Sequence, residues 1–115
     1  MKLLRILIAE DDAMIAMLLS DVLAAMGHEI CAITQTESET IGAALLYKPD
    51  LMIVDEGLRD GSGIAAVAEV SLTECMPHIF ATSDYYRVLK AEPKAIVLQK
   101  PFDVQTLVRA IERAL

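Results

Sequence analysis

A chain of 115 residues with 55% hydrophobic and 23% charged side chains has enough apolar material for one self-supporting core, which excludes a disordered segment and a disulfide-stapled miniprotein. Its formal charge of −7 speaks against a nucleic-acid partner, because phosphate contacts need a basic surface. The longest apolar runs, such as Leu51-Met52-Ile53-Val54, end in charge at strand length, so no membrane span is expected.

Met1-Lys2-Leu3-Leu4-Arg5 opens like a secretory signal, but Glu10-Asp11-Asp12 interrupts the apolar stretch and no cleavage-like site follows, so a cytoplasmic protein is expected. Leu4 to Ala9 reads as a buried strand. Met14, Ile15, Leu18, Leu19, Val22 and Met26 recur at three- and four-residue steps and predict an amphipathic helix. Asp12 is its candidate cap at the start and Gly27 at the end. Ile30 to Ile33 is the second strand. Thr36 with Glu39 forms a candidate capping box for a helix that runs to about Tyr47, before Pro49.

Leu51 to Val54, uniformly apolar, predicts a strand covered on both faces. Gly57, Gly61 and Gly63 then mark a loop before a helix over Ile64 to Leu72. His78 to Thr82 is the fourth strand, Asp84 to Ala91 a short helix, and Ala95 to Leu98 the fifth strand. Val104, Leu107, Val108, Ile111 and Leu115 mark the last helix. The six methionines fall mostly on apolar faces and are expected in the core. Cys31 and Cys75 lack metal or redox spacing and are expected to stay reduced. His28 and His78 stand alone and read as structural or solvent-facing. With no repeat, low-complexity run or linker in the sequence, one domain over 1–115 without an output domain is expected.

Strands alternating with helices predict a doubly wound α/β fold, because parallel strands need crossover helices. Chemistry in such folds sits outside the carboxyl ends of the strands. Glu10 and Asp11 follow the first strand, Asp55 the third and Lys100 the fifth, while Thr82 ends the fourth. A strand order of 2-1-3-4-5 brings the three carboxylates together. Their repulsion raises carboxyl pKa values unless a cation intervenes, and hard oxygen ligands suit Mg²⁺. Beside Mg²⁺, a carboxylate such as Asp55 can attack phosphorus and become an acyl phosphate. The Lys100 ammonium and the Thr82 hydroxyl are then donors for the phosphoryl oxygens.

On Glu10-Asp11, Asp55, Thr82-Ser83 and Lys100-Pro101-Phe102 the sequence resembles the response-regulator receiver family over essentially its whole length. The resemblance implies a flavodoxin-like five-stranded sheet with helices on both faces. It also implies a single-domain regulator of a two-component or phosphorelay system, rather than a metabolic enzyme. A sensor histidine kinase or histidine phosphotransferase would supply the phosphoryl group. Asp55 would be the phosphoacceptor, Asp11 and Asp55 direct Mg²⁺ ligands, Glu10 a ligand through metal-bound water, and Gly57 a ligand through its carbonyl. Thr82 and Lys100 would bind phosphoryl oxygens, Ser83 would leave room for the donor, and the Lys100–Pro101 bond would be cis. An effector would meet the face of the fourth helix, fifth strand and fifth helix, including Tyr85, Tyr86, Val88 and Leu89. A homodimer is also open.

Two departures stand out. Val97 replaces the aromatic that many receivers carry three residues before the lysine, so Tyr85 or Tyr86 is expected to take its part. Gly57 leaves room for water and Asp84 offers a carboxylate to orient it, which predicts a short-lived acyl phosphate. Pro77-His78-Ile79-Phe80-Ala81-Thr82 also partly resembles a Pro-Phe-x-Phe-Ala-Thr-Gly-Tyr subfamily signature, without matching it at His78, Ser83 or Asp84. An aspartate-nucleophile phosphatase is the nearest enzyme alternative, but Gly57 stands where its acid/base Asp belongs. A flavin carrier would want a Ser/Thr/Gly-rich loop in place of Glu10-Asp11-Asp12. A pseudo-receiver that is never phosphorylated would have no use for the complete acid, Thr and Lys set.

Overall fold

Apolar residues that alternate along each strand build two separate cores, one on each side of a single sheet. The computed structural model describes residues 2–115. Its elements run β1 (Arg5–Ala9), α1 (Ala13–Ala25), β2 (Glu29–Thr34), α2 (Glu37–Tyr47), β3 (Leu51–Asp55), α3 (Gly63–Ser71), β4 (His78–Thr82), α4 (Tyr85–Ala91), β5 (Val97–Gln99) and α5 (Val104–Ala114). The five strands are parallel in the order β2-β1-β3-β4-β5, as expected.

Ile6, Ile8, Leu51, Ile53, Ile79, Ala81 and Leu98 point to one face and pack with Ala16 and Leu23 of α1 and Leu107, Ala110 and Ile111 of α5. Leu7, Ala9, Met52, Val54 and Phe80 point to the other and meet Ala44 of α2, Ala66, Val67 and Val70 of α3, and Val88 of α4. Burying each of these aliphatic side chains contributes about 1.5–3 kcal/mol before entropy is counted. The register pairs Ala9 with Val54 and Asp55 with Ala81. The carboxyl ends of β1, β3 and β4 therefore share one edge.

Local signals set the helix ends. The Asp12 carboxylate accepts the Met14 and Ile15 amides at 3.0 and 3.2 Å, capping α1. The Thr36 hydroxyl accepts the Glu39 amide at 3.0 Å while the Glu39 carboxylate accepts the Thr36 amide at 3.2 Å, completing the capping box. His28 is buried, with Nδ1 accepting the Leu4 amide, and a His78 ring nitrogen bonds the Met76 carbonyl. Both histidines are structural. Both cysteines are free, and burial pushes the Cys31 thiol pKa up. Among the described residues no helix is long and apolar enough to cross a membrane.

Several expectations need correcting. The fifth strand begins at Val97 rather than Ala95, because the Ala95 amide closes a turn on the Glu92 carbonyl. Helix α1 carries apolar side chains on more sides than the sheet can cover. Met14, Ile15 and Leu18 are exposed, and burial in α1 falls to Ala16 and Leu23 instead. Val104 at the start of α5 and Leu115 just past its end are also exposed. Of the methionines, Met52 and Met76 are buried, Met26 is half-buried, and Met14 and Met17 face solvent. Met1 lies outside the described residues.

Candidate functional site

The ends of β1, β3 and β5 deliver Glu10, Asp11, Asp55 and Lys100 to one point. One oxygen from each of Glu10, Asp11 and Asp55 lies within 4.8 Å of the others. The Lys100 ammonium reaches Glu10 Oε1 at 2.7 Å and Asp55 Oδ2 at 3.1 Å. The other Asp55 oxygen, Oδ1, accepts the Gly57 amide at 3.2 Å. Glu10 Oε2 accepts the Asp12 amide at 3.2 Å. Asp55 is thus held from both sides, by a loop amide and by a cation from a strand 45 positions away. An anionic set made only of oxygens fits a hard divalent cation such as Mg²⁺.

Burial controls the electrostatics. Glu10 is 4% exposed, and desolvation pushes its pKa up to about 7, helped by the neighbouring Asp55 carboxylate and offset only in part by Lys100. Burial alone would lower the Lys100 pKa, but hydrogen bonds to Glu10 and Asp55 outweigh it and hold the ammonium above its ordinary value. One cation among three carboxylates leaves the pocket short of positive charge.

Thr82 is buried at the end of β4, but its hydroxyl turns to the β4–α4 bend and accepts the Asp84 amide at 2.9 Å. It belongs to the same edge without touching the carboxylates. Accepting one amide leaves its O–H free to donate. Asp84 is the N-cap of α4, its carboxylate accepting the Arg87 amide at 3.2 Å, so a helix end holds the group expected to orient water. At Gly57, by contrast, an added Cβ meets nothing within 4 Å, and that side of the site is open as expected. The Lys100–Pro101 bond is cis.

Residues that the sequence did not single out complete the surroundings. Gln99 spans the β4–α4 bend: its Nε2 donates to the Ser83 and Lys100 carbonyls and its Oε1 accepts the Tyr85 amide. Arg87 of α4 pairs with Glu56, next to Asp55, at 3.2 Å. Val88, expected on an exposed face, is fully buried under α4. Tyr86 is 81% exposed, and Tyr85 and Leu89 are half-buried. Between α1 and α5 lies an apolar groove of about 190 Å³ lined by Ile15, Leu18, Leu19, Val22, Phe102 and Val104 among others. Ile15, Leu19 and Phe102 also line a smaller hollow against Glu10, Asp55 and Lys100, so the groove runs up to the site. The surplus of apolar residues in α1 was the available signal for it.

Residues 6–112 match the family described as the response regulator receiver domain. The chain is 35% identical over 114 residues to the transcriptional regulatory protein PdtaR of Mycobacterium tuberculosis, covering 96% of this chain and 56% of that one. It is also 35% identical over 114 residues to the phyllosphere-induced regulator PhyR of Methylorubrum extorquens, covering 96% and 43%. The crystal structure of the response regulator PhyR from Brucella abortus superposes with a TM-score of 0.90 at 32% identity, over 99% of this chain and 48% of that one. The chain spans about half the length of these relatives. With its sheet order, acidic edge and matching residues in agreement, the chain belongs to the response regulator receiver domain family.

Proposed function

We propose that this chain accepts a phosphoryl group on Asp55 from a phosphohistidine of a sensor kinase or histidine phosphotransferase, and that the transfer switches partner binding. The observation that carries this reading is the Asp55 carboxylate itself, pinned by Gly57 and Lys100 beside Glu10 and Asp11. Such fixing removes orientational freedom before reaction. An Asp55 oxygen attacks phosphorus, the P–N bond breaks, and its electron pair stays on the imidazole nitrogen. Asp11 and Asp55 would hold Mg²⁺ directly, the Gly57 carbonyl would complete the protein's share, and Glu10 would act through water. When bound, Mg²⁺ supplies charge neutralisation for the carboxylates and the phosphoryl oxygens. Lys100 donates to one phosphoryl oxygen, and the free O–H of Thr82 to another. The acyl phosphate is short-lived because the open face at Gly57 admits water.

Incubation with phosphoramidate tests this directly. Intact-protein mass gains one phosphoryl group with Mg²⁺ and none with EDTA. Equal uptake in both conditions counts against the assigned site. With no uptake in either, a stable beryllofluoride complex points to fast hydrolysis and its failure to form points to a pseudo-receiver.

The phosphodonor docks by an apolar helix in the groove between α1 and α5, because that groove leads to Asp55. Leu18→Glu slows transfer from the cognate phosphodonor protein roughly tenfold, as for an interface anchor, and leaves the phosphoramidate rate unchanged. Equal slowing with both donors sinks this placement.

Gln99 rather than Tyr85 or Tyr86 links the site to α4, since it binds both sides of the bend and ends the strand that Lys100 directly follows. Gln99→Ala speeds amide exchange from Ser83 to Val88 about tenfold while β1 and β3 keep their protection. Unchanged exchange there removes Gln99 from the switch. PdtaR and PhyR are named as regulators, which supports a regulatory role for this chain.

A further inference from the structure

The loop from Glu56 to Ser62 has to hold Gly57 still, yet its composition favours movement. It carries two glycines, and both Asp60 and Gly61 have positive φ, at 56° and 146°. Its base is closed by the Gly63 amide on the Glu56 carbonyl at 2.9 Å. Its tip is tied to the start of α2. The Arg59 amide donates to the Gln35 carbonyl at 3.0 Å, and the Glu37 amide donates to the Arg59 carbonyl at 3.3 Å. Thr36 and Arg59 form an isolated parallel bridge. Finally, Glu37 Oε1 accepts the amide of Ser62, the N-cap of α3, at 3.0 Å. Gly61 lies so close under the Glu37 carboxylate that any Cβ there collides with Oε1.

We infer that Glu37 is a positioning residue for the phosphoacceptor loop. Its carboxylate fixes the far end of the segment whose near end donates from Gly57 to Asp55 Oδ1. A carboxylate bonded to a part-buried amide at a helix start is a charge-assisted tether. Because the loop is short, displacing its Ser62 end moves Gly57 against Asp55. The inference rests on the proposed metal and phosphoryl site, and it adds a residue 18 positions before Asp55 that touches neither metal nor phosphoryl group.

Two measurements on Glu37→Ala, Glu37→Gln and Glu37→Asp test it: calorimetric Mg²⁺ titration, and amide exchange of the metal-free protein. Glu37→Ala weakens Mg²⁺ binding roughly tenfold, in the range of lost outer partners of a metal site, and speeds exchange at Gly57. Glu37→Gln, which keeps an acceptor oxygen, restores both. Glu37→Asp, too short to reach the Ser62 amide, reproduces the loss with the charge kept, and decides the matter if Glu37→Ala does not fold. Unchanged Mg²⁺ affinity and unchanged Gly57 exchange, even with a lower melting temperature, reduce Glu37 to a staple and overturn the inference. If the wild-type protein binds no Mg²⁺, the proposed site fails. Exchange at Gly57 then still decides the role of Glu37, with faster exchange in Glu37→Ala supporting it and equal exchange refuting it.

Discussion

Asp55→Asn takes up no phosphoryl group, yet in the absence of Mg²⁺ it melts at a higher temperature than the wild type. The loss of uptake is absolute because an amide is no nucleophile toward phosphorus at neutral pH. The gain in stability follows from the charge count: three carboxylates converge on one ammonium, and Asp55 helps to push the Glu10 pKa upward. Asparagine keeps an oxygen for the Gly57 amide, gives up the Oδ2 contact to the Lys100 ammonium, and removes one negative charge. Relief of like-charge repulsion at partly buried positions is of order 1 kcal/mol, which for a domain of this size raises the melting temperature by about 4–8 °C. Saturating Mg²⁺ narrows or reverses the difference, since the cation binds the wild-type site better. A lower melting temperature for Asp55→Asn without metal would mean that the Asp55–Lys100 ion pair outweighs the crowding of the acids.

The second large effect is on pH dependence. Glu10 is raised by burial from its ordinary value of 4.5 to about 7, so the folded protein binds the extra proton across that interval. The stabilisation is complete below pH 4.5 and is lost as pH rises through about 7. At about 1.4 kcal/mol per unit, the metal-free protein loses on the order of 3 kcal/mol from Glu10 over that span. Glu10→Gln flattens this part of the profile. Mg²⁺ acts in the opposite sense: it favours the ionised acids, so its apparent affinity climbs between pH 5 and 7, in the interval where Glu10 ionises. Urea unfolding at a series of pH values, with and without Mg²⁺, reads both trends. A stability profile identical in wild type and Glu10→Gln refutes the assignment.

The parts of this molecule that were legible in the sequence are those where one residue type has one common use at its position. Leu51 to Val54 is apolar on both faces because both faces are covered, and Asp55 then stands out as the first polar group at the strand end. Asp12, and Thr36 with Glu39, announce helix starts through spacing alone. Glu10, Asp11 and Lys100 became readable together, once the strand order put them on one edge. Harder to read were side-chain directions and long-range bonds to the backbone. Thr82 sits where expected, but only the bend after β4 shows that its hydroxyl serves the Asp84 amide. Gln99 and Glu37 are common solvated types, and their backbone partners lie as many as 16 and 25 positions away. No local pattern encodes such a pairing. In α1 the three- and four-residue steps located the helix correctly. Apolar residues on several sides of it left the buried face undetermined, and Met14, Ile15 and Leu18 went to the surface.

The most direct test of the central claim is to trap the acyl phosphate chemically. Protein incubated with phosphoramidate and Mg²⁺ is reduced with borohydride, which converts an aspartyl phosphate to homoserine, and is then mapped by peptide mass spectrometry. The account predicts homoserine at position 55, absent when Mg²⁺ is withheld and absent in Asp55→Asn. Homoserine at position 11 or elsewhere with Asp55 intact would contradict it.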